Sequence, residues 1–198
     1  MPSLTDHRDR ILTHSSQRVA WMRARARAVT GTDAAQFASD RAVVRAAHDK
    51  LAPHGFSGSS FTEHGRAREP EIATWVRRRY GIEPSTALFH AAGQKKHVAT
   101  PDGLMVEADG SLVLAEIKTT SKPWTSIPRN YLRQVWWQQY VLGAERTLVV
   151  WEQHENFVPV GREPLCRWVD RDENEIAMLV RRADMMLMLI GELARPLR

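Results

Sequence analysis

The chain has 198 residues, 43% apolar and 26% charged, which is enough for one domain with a sizeable core. No apolar run reaches the roughly 18 residues of a membrane span. The N-terminal residues Met1 to Asp6 lack a secretory core, and a single cysteine, Cys166, excludes an internal disulfide and a cysteine-built zinc or iron–sulfur site, so a cytoplasmic protein is expected. The net charge is +5, with 23 Arg against 5 Lys. Arginine suits bidentate phosphate contacts, so the balance nominates a polyanionic partner; codon bias toward arginine is the plain alternative.

No repeat, low-complexity segment or long linker divides the chain. The first part reads as helical. Ser15 to Ala28 forms one helix, with Ser15 or Ser16 as cap. Thr32 or Asp33 caps a second that begins at Ala34, and Asp40 caps a third through about Leu51, stopped by Pro53-His54-Gly55. The Gly/Ser-rich residues Gly55 to Thr62 read as a loop. Ile72, Trp75, Val76 and Tyr80 give the spacing of a fourth helix from about Gly65, ended by Gly81.

The middle changes to strands: Thr86 to Ala92, Lys95 to Thr100, Leu104 to Glu107 and Leu112 to Thr119, the last two joined by the turn Ala108-Asp109-Gly110-Ser111. A helix from about Asn130 to Leu142 follows, closed by Gly143. Then come a strand at Arg146 to Trp151, a short one at Arg167 to Val169, and a last helix from about Glu173 to Leu193 capped by Asp172. The order predicts a mixed α/β (α+β) chain with one central mixed sheet flanked by helices.

Four residues carry the chemical argument: Glu69 on the fourth helix, Asp102 where a strand begins after Pro101, and Glu116 and Lys118 two apart on the best strand. Side chains at i and i+2 of a strand share a face, so Glu116 and Lys118 point together and Ile117 points to the opposite, core side. A hairpin through Asp109-Gly110 brings Asp102 beside Glu116. Two carboxylates held close repel unless a cation lies between them, and a hard ion such as Mg²⁺ prefers oxygen ligands and keeps several waters. A neighbouring lysine positions the attacking water, helps deprotonate it and offsets charge on a phosphorane-like transition state. The bland reading of Glu-x-Lys is a solvated pair on an exposed sheet face; the added hairpin carboxylate and upstream helical glutamate weigh against it.

The string Pro101-Asp102-Gly103, then Leu114-Ala115-Glu116-Ile117-Lys118-Thr119, resembles the core motif of PD-(D/E)XK nucleases. His64-Gly65-Arg66-Ala67-Arg68-Glu69-Pro70, the segment Trp21 through Arg25 to Asp33, and Tyr131-Leu132-Arg133-Gln134-Val135 continuing to Gln138 resemble, in order, elements of the lambda-exonuclease and YqaJ-like viral recombinase family. The resemblance implies a restriction-endonuclease-like fold in a single domain, with a helical N-terminal part over 1–55, a catalytic core over 56–170 and a C-terminal helix over 171–198. It implies a Mg²⁺-dependent exonuclease, with Mn²⁺ able to substitute, that degrades duplex DNA from the 5′ end and leaves 3′ overhangs for phage or prophage recombination in a bacterial host. By motif position, Asp102, Glu116, the Ile117 carbonyl and Glu69 hold metal, Lys118 is the catalytic lysine and Gln134 lies beside the site. Arg25 and Thr32 take the terminal 5′-phosphate, with Thr32 standing where the family has serine. A homo-oligomer, a trimer by family analogy, and a single-strand annealing partner are implied, the trimer being put in question by the short segment between Lys118 and Tyr131.

Other features carry paired readings. Tyr131 and Trp124 are candidate DNA contacts, and Trp124 is alternatively a loop anchor. Trp136 and Trp137 supply core packing or a wedge that splits the duplex end. Arg77-Arg78-Arg79 tracks phosphates or favours the negative helix terminus. His90, His97 and His154 read as structural or surface residues, and Met185 to Leu189 as a packing face or partner dock. Two other functions stay open: an endonuclease of the same superfamily, and a DNA-binding module without catalysis.

Overall fold

The computed structural model describes residues 6–52 and 60–194. In chain order these form a 3-10 turn at His7–Arg10, then β1 (Ile11–His14), α1 (Arg18–Ala26), α2 (Gly31–Ala35), α3 (Asp40–Leu51), α4 (Ser60–Tyr80), β2 (Glu83–Pro84), β3 (Ala87–Ala91), β4 (Gln94–Ala99), β5 (Gly103–Val106), β6 (Leu112–Thr120), α5 (Arg129–Leu142), β7 (Arg146–Glu155), β8 (Val158–Pro159), β9 (Leu165–Asp170) and α6 (Glu173–Leu193). The expected stop at Pro53-His54-Gly55 lies outside the described residues, as does most of the expected Gly55 to Thr62 loop; from Ser60 the chain is already helical.

The central sheet is mixed, as expected. The β5–β6 hairpin is antiparallel, with Gly103 opposite Ala115 and Val106 opposite Leu112. β7 lies parallel to β6 on its other side, reached through α5, and β9 pairs antiparallel with β7. β6 therefore has a strand on each side and helices over both faces, which is why Leu112 to Ile117 is apolar at every position but Glu116. Leu112 and Leu114 face α5 and α6, while Val113, Ala115 and Ile117 pack against Ile72 and Val76 of α4.

A second sheet stands beside the first. β1, β3 and β4 form an antiparallel unit of their own, so β3 and β4 do not continue the β5–β6 meander. β1 was not anticipated, because four residues alone carry no period; it is made a strand by pairing with β3, some 75 residues onward. An isolated parallel bridge between Val29 and His97 ties the start of α2 to this sheet.

Caps shift where the sequence offers several candidates. α1 begins after Gln17, with no side-chain cap from Ser15 or Ser16. α2 is capped by Thr30, not Thr32 or Asp33: Thr30 Oγ1 accepts from the Asp33 amide and the Asp33 carboxylate accepts from the Thr30 amide, a reciprocal box that needs an acid three residues after the hydroxyl. α3 is capped by Ser39 rather than Asp40. Gly81 and Gly143 end α4 and α5 in left-handed conformations, as their positions foretold.

Asp172 does cap α6, accepting from Asn174 N at 3.0 Å and Glu175 N at 3.1 Å. Replacing it with alanine orphans both amides and removes a negative charge from the helix N-terminus. We expect Asp172→Ala to lower unfolding free energy by about 1 kcal/mol in a denaturant titration. On α6, Ile176, Leu179, Ala183, Met186 and Ile190 form the buried stripe, whereas Met188 is exposed, so the Met185 to Leu189 run is split between core and surface.

Candidate active site

Asp102, Glu116 and Lys118 converge where β5 begins. The Asp102 amide donates to Ala115 O, and β5 then turns into register with β6. Gly103 fits there without crowding, whereas a Cβ would stand 3.0 Å from Ile82 Cγ2 and 3.1 Å from Ala115 Cβ and those neighbours would have to give. The next donor on β6, the Ile117 amide, has no backbone acceptor from β5 and bonds Asp102 Oδ2 at 2.7 Å. The Pro-Asp-Gly sequence thus fixes the carboxylate by local strand geometry.

Glu116 is almost fully buried and is held by three donors. Lys118 Nζ and Gln134 Nε2 each reach Oε1 at 2.5 Å, and Gln138 Nε2 reaches Oε2 at 2.6 Å. Lys118 shares the Glu116 face, as the strand period requires, and its ammonium lies 5.2 Å from the Tyr131 ring centre. Burial lowers the lysine's pKa, but Glu116 and Asp102 overcome it and push it up to about 12.

Glu69 comes from α4 across a cavity of about 380 Å³ lined also by Arg66, Ile117, Lys118, Thr119 and Tyr131. α4 reaches this close because residue 65 is glycine: a Cβ there would stand 2.9 Å from Thr119 Oγ1. Burial, and then the charge of Glu116, push the Glu69 carboxyl up. The Asp102 carboxyl is driven well above its ordinary range by burial first and by Glu116 next. Both shifts come first from burial; the charge of Glu116 adds to them and Lys118 works against them.

The chemistry of the donors is the test for a cation. The donor set is all oxygen, from Asp102, Glu69, Glu116 and the Ile117 backbone, and it fits a hard divalent ion. Among the described residues no three His, Cys, Asp or Glu side chains are already gathered as a ligand cluster, and Lys118 and Gln134 hold Glu116 Oε1.

The remaining sequence candidates differ in how they stand to this centre. Gln134 is in direct contact with Glu116, and a Cβ on Gly31 would stand 3.3 Å from Gln134 Cγ, so the turn into α2 borders the site. Thr32, next along, is exposed. Arg25 lies 4.1 Å over the Trp21 ring; burial lowers its pKa and the nearby Asp33 raises it. Trp124 packs on Tyr131 and Trp151 with ring centres 5.1 and 5.4 Å away, the loop-anchor arrangement. Trp136 and Trp137 are both buried and bond Asp170 O and Val98 O, so neither is available as a wedge. Arg77, from the arginine triplet, pairs with Glu83. His97 and His154 are buried, not surface residues.

Two features escaped the sequence reading. Gln138 completes the clamp on Glu116; its signal was the four-residue spacing from Gln134, which puts both amides on one helix face. The second is a polar chain joining α4 to β7: Arg68 grips Glu152 through Nε and Nη2 at 2.9 and 3.0 Å, Glu152 bonds His154 at 2.6 Å, and His154 bonds His64 at 2.5 Å. No sequence spacing links residues 84 and 90 positions apart.

Comparison with solved structures places the fold. The alkaline exonuclease LHK-Exo of Laribacter hongkongensis is similar with a TM-score of 0.67 at 19% identity, over 87% of this chain and 92% of that one. A phage-related exonuclease from Haemophilus somnus 129PT is similar with a TM-score of 0.59 at 13% identity, over 78% of this chain and 81% of that one. Comparison with curated proteins gives no match. A mixed sheet with this carboxylate–lysine hairpin defines a PD-(D/E)XK nuclease. The YqaJ-like viral recombinase domain matches residues 20–145, more than half of the chain, and the chain belongs to that family.

Proposed function

We propose that this nuclease is a Mg²⁺-dependent exonuclease that consumes the 5′-ended strand of duplex DNA and leaves a 3′ overhang for phage-type recombination. The observation that carries the reading is the joining of Asp102, Glu116 and Lys118 at the start of β5, with Glu69 and Lys118 lining one cavity there. Asp102, Glu116, Glu69 and the Ile117 carbonyl would hold Mg²⁺, or Mn²⁺ in its place, and the ion would supply charge on the scissile phosphate and a more acidic water.

The chain's own groups do the rest. Gln134 and Gln138 fix the Glu116 carboxylate, and Asp102 is fixed by the Ile117 amide. Lys118, on the Glu116 face of β6, is the group that positions the attacking water and offsets charge on the transition-state oxygens. Arg25 and Thr32 take a terminal 5′-phosphate, and Tyr131 lines the path of the strand. The likeness in fold to LHK-Exo, an alkaline exonuclease whose structure is also known in complex with dAMP, supports an end-acting nuclease on DNA. By the same family reasoning the working form is a homo-oligomer, a trimer, with a single-strand annealing partner, in the cytoplasm of a phage or prophage host. Among the described residues no helix is long and apolar enough to cross a membrane.

The test uses linear duplexes labelled at either end, with and without 5′-phosphate, beside closed circular DNA, in Mg²⁺ or EDTA. Release of label from 5′-phosphorylated linear ends in Mg²⁺ alone is the expected result. Cutting of the closed circle overturns end dependence in favour of an endonuclease. No cutting with any divalent metal overturns catalysis in favour of a binding module.

A further inference from the structure

Asp33, at the turn into α2, is buried, and its Oδ2 takes three donors. Two come from Thr30, the amide at 2.8 Å and Oγ1 at 2.7 Å. The third comes from 17 residues onward, Lys50 Nζ at 2.6 Å. The Thr30 bonds belong to the capping box, which asks only for an acceptor three residues after the hydroxyl and is met as well by a neutral Gln. Capping is therefore complete without the lysine. Lys50 stands in the last turn of α3, and its side chain is as buried as that of Asp33, each 12% exposed. A lysine held so gives up water and rotamer freedom. What it answers is the charge of Asp33 rather than a missing hydrogen bond.

That charge matters because of its neighbours. Thr32 adjoins Asp33 in the chain and is exposed. Arg25 is near enough for Asp33 to raise its pKa against the effect of burial. Yet among the described residues the Arg25 guanidinium makes neither a side-chain hydrogen bond nor an ion pair; its contact is the Trp21 ring, 4.1 Å away. A guanidinium with its donors unspent and an exposed hydroxyl thus flank one carboxylate. Left uncompensated, that carboxylate would repel any anion the two groups hold, and it would compete for the guanidinium itself.

We propose that Lys50 is a positioning residue of the terminal-phosphate site: by pairing with Asp33 it cancels a negative charge beside that site and leaves Arg25 uncommitted, so that the 5′-phosphate takes the guanidinium. The assignment rests on the reading of Arg25 and Thr32 given above. Lys50 acts through Asp33 and is not itself a phosphate ligand. Gly31, inside the same capping box, stands against Gln134, so the charge balance set by Lys50 borders the nuclease centre.

The experiment compares duplexes that differ only in a 5′-phosphate or a 5′-hydroxyl. Binding is read by fluorescence anisotropy in EDTA, and the ratio of kcat/KM for the two ends is read in Mg²⁺. Wild type is expected to prefer the phosphorylated end. Lys50→Met, which keeps the apolar stem and removes the charge, is expected to lose roughly tenfold of that preference. Lys50→Arg is expected to keep it. Lys50→Met with Asp33→Asn is expected to regain it, since the amide oxygen still accepts from Thr30 and no charge is left to compensate. A lysine that serves stability alone would lower the thermal midpoint in Lys50→Met and leave the preference intact, which overturns the proposal. A double variant as indifferent to the phosphate as Lys50→Met also overturns it, because charge is then not the cause. A wild type that binds and cuts both ends alike overturns the terminal-phosphate reading of Arg25 and Thr32, and this assignment with it.

Discussion

Asp102→Asn is expected to reduce DNA cleavage by roughly a thousandfold, about 4 kcal/mol of transition-state stabilisation, while making the metal-free protein more stable. Both effects have one origin. The carboxylate is buried beside Glu116, and its pKa is raised. In the folded chain it therefore holds a proton to higher pH than in the unfolded chain. Stability falls as pH rises from the ordinary carboxylate range toward the folded value, because the unfolded state loses the proton first. An asparagine still accepts from the Ile117 amide and carries no charge, so it escapes that loss. The measurement is thermal midpoint against pH, with and without Mg²⁺, beside a cleavage assay. Wild type should gain stability from Mg²⁺ and the variant should gain little. Full activity in Asp102→Asn, or in Lys118→Ala, would remove that residue from the site.

Arg68→Ala is expected to destabilise the fold by about 3 kcal/mol, lowering the midpoint by about 10 °C. Glu152 is nearly buried, and Arg68 meets both of its oxygens. Burial alone raises the Glu152 carboxyl, but the bonds from Arg68 and His154 overcome it and hold the pKa below the ordinary range. A depressed carboxyl contributes stability that is present above its unfolded pKa and is lost as pH falls through the folded one. The difference between Arg68→Ala and wild type should accordingly be full at neutral pH and shrink in acid. Arg68→Ala with Glu152→Gln should recover much of the loss, since the cost lies in the stranded charge rather than in the missing bonds. Calorimetry of the two variants across that range checks both signs.

The candidate site was legible in proportion to how local its geometry is. Asp102 and Glu116 are joined by a short hairpin whose turn is announced by Asp109-Gly110, so strand period and turn chemistry place them together. Glu69, from a helix 33 residues upstream, was placed by resemblance to a family motif; the structure adds the reason, the glycine at 65 that lets α4 lie against β6. Gln134 came by the same resemblance, whereas Gln138 went unassigned although it grips the same carboxylate.

The fold shows the same division. Glycine stops, the Asp172 cap and the long strand β6 follow from what each segment prefers by itself. The caps of α2 and α3 were misplaced by one to three residues because adjacent Thr, Ser and Asp residues compete and the entry angle of the chain picks among them. β1 and β8 are too short to declare themselves, and only pairing makes them strands.

The amino-acid sequence by itself determined the mixed architecture, the carboxylate–lysine hairpin and the family, because these rest on period, turn chemistry and ordered motifs. Tertiary structure alone decided that β1, β3 and β4 stand apart as a second sheet, that Arg68, Glu152, His154 and His64 form one chain, and that Lys50 reaches back from α3 to Asp33. Those are meetings of groups far apart along the chain, and their positions are set by how helices and sheets pack, which no local preference encodes.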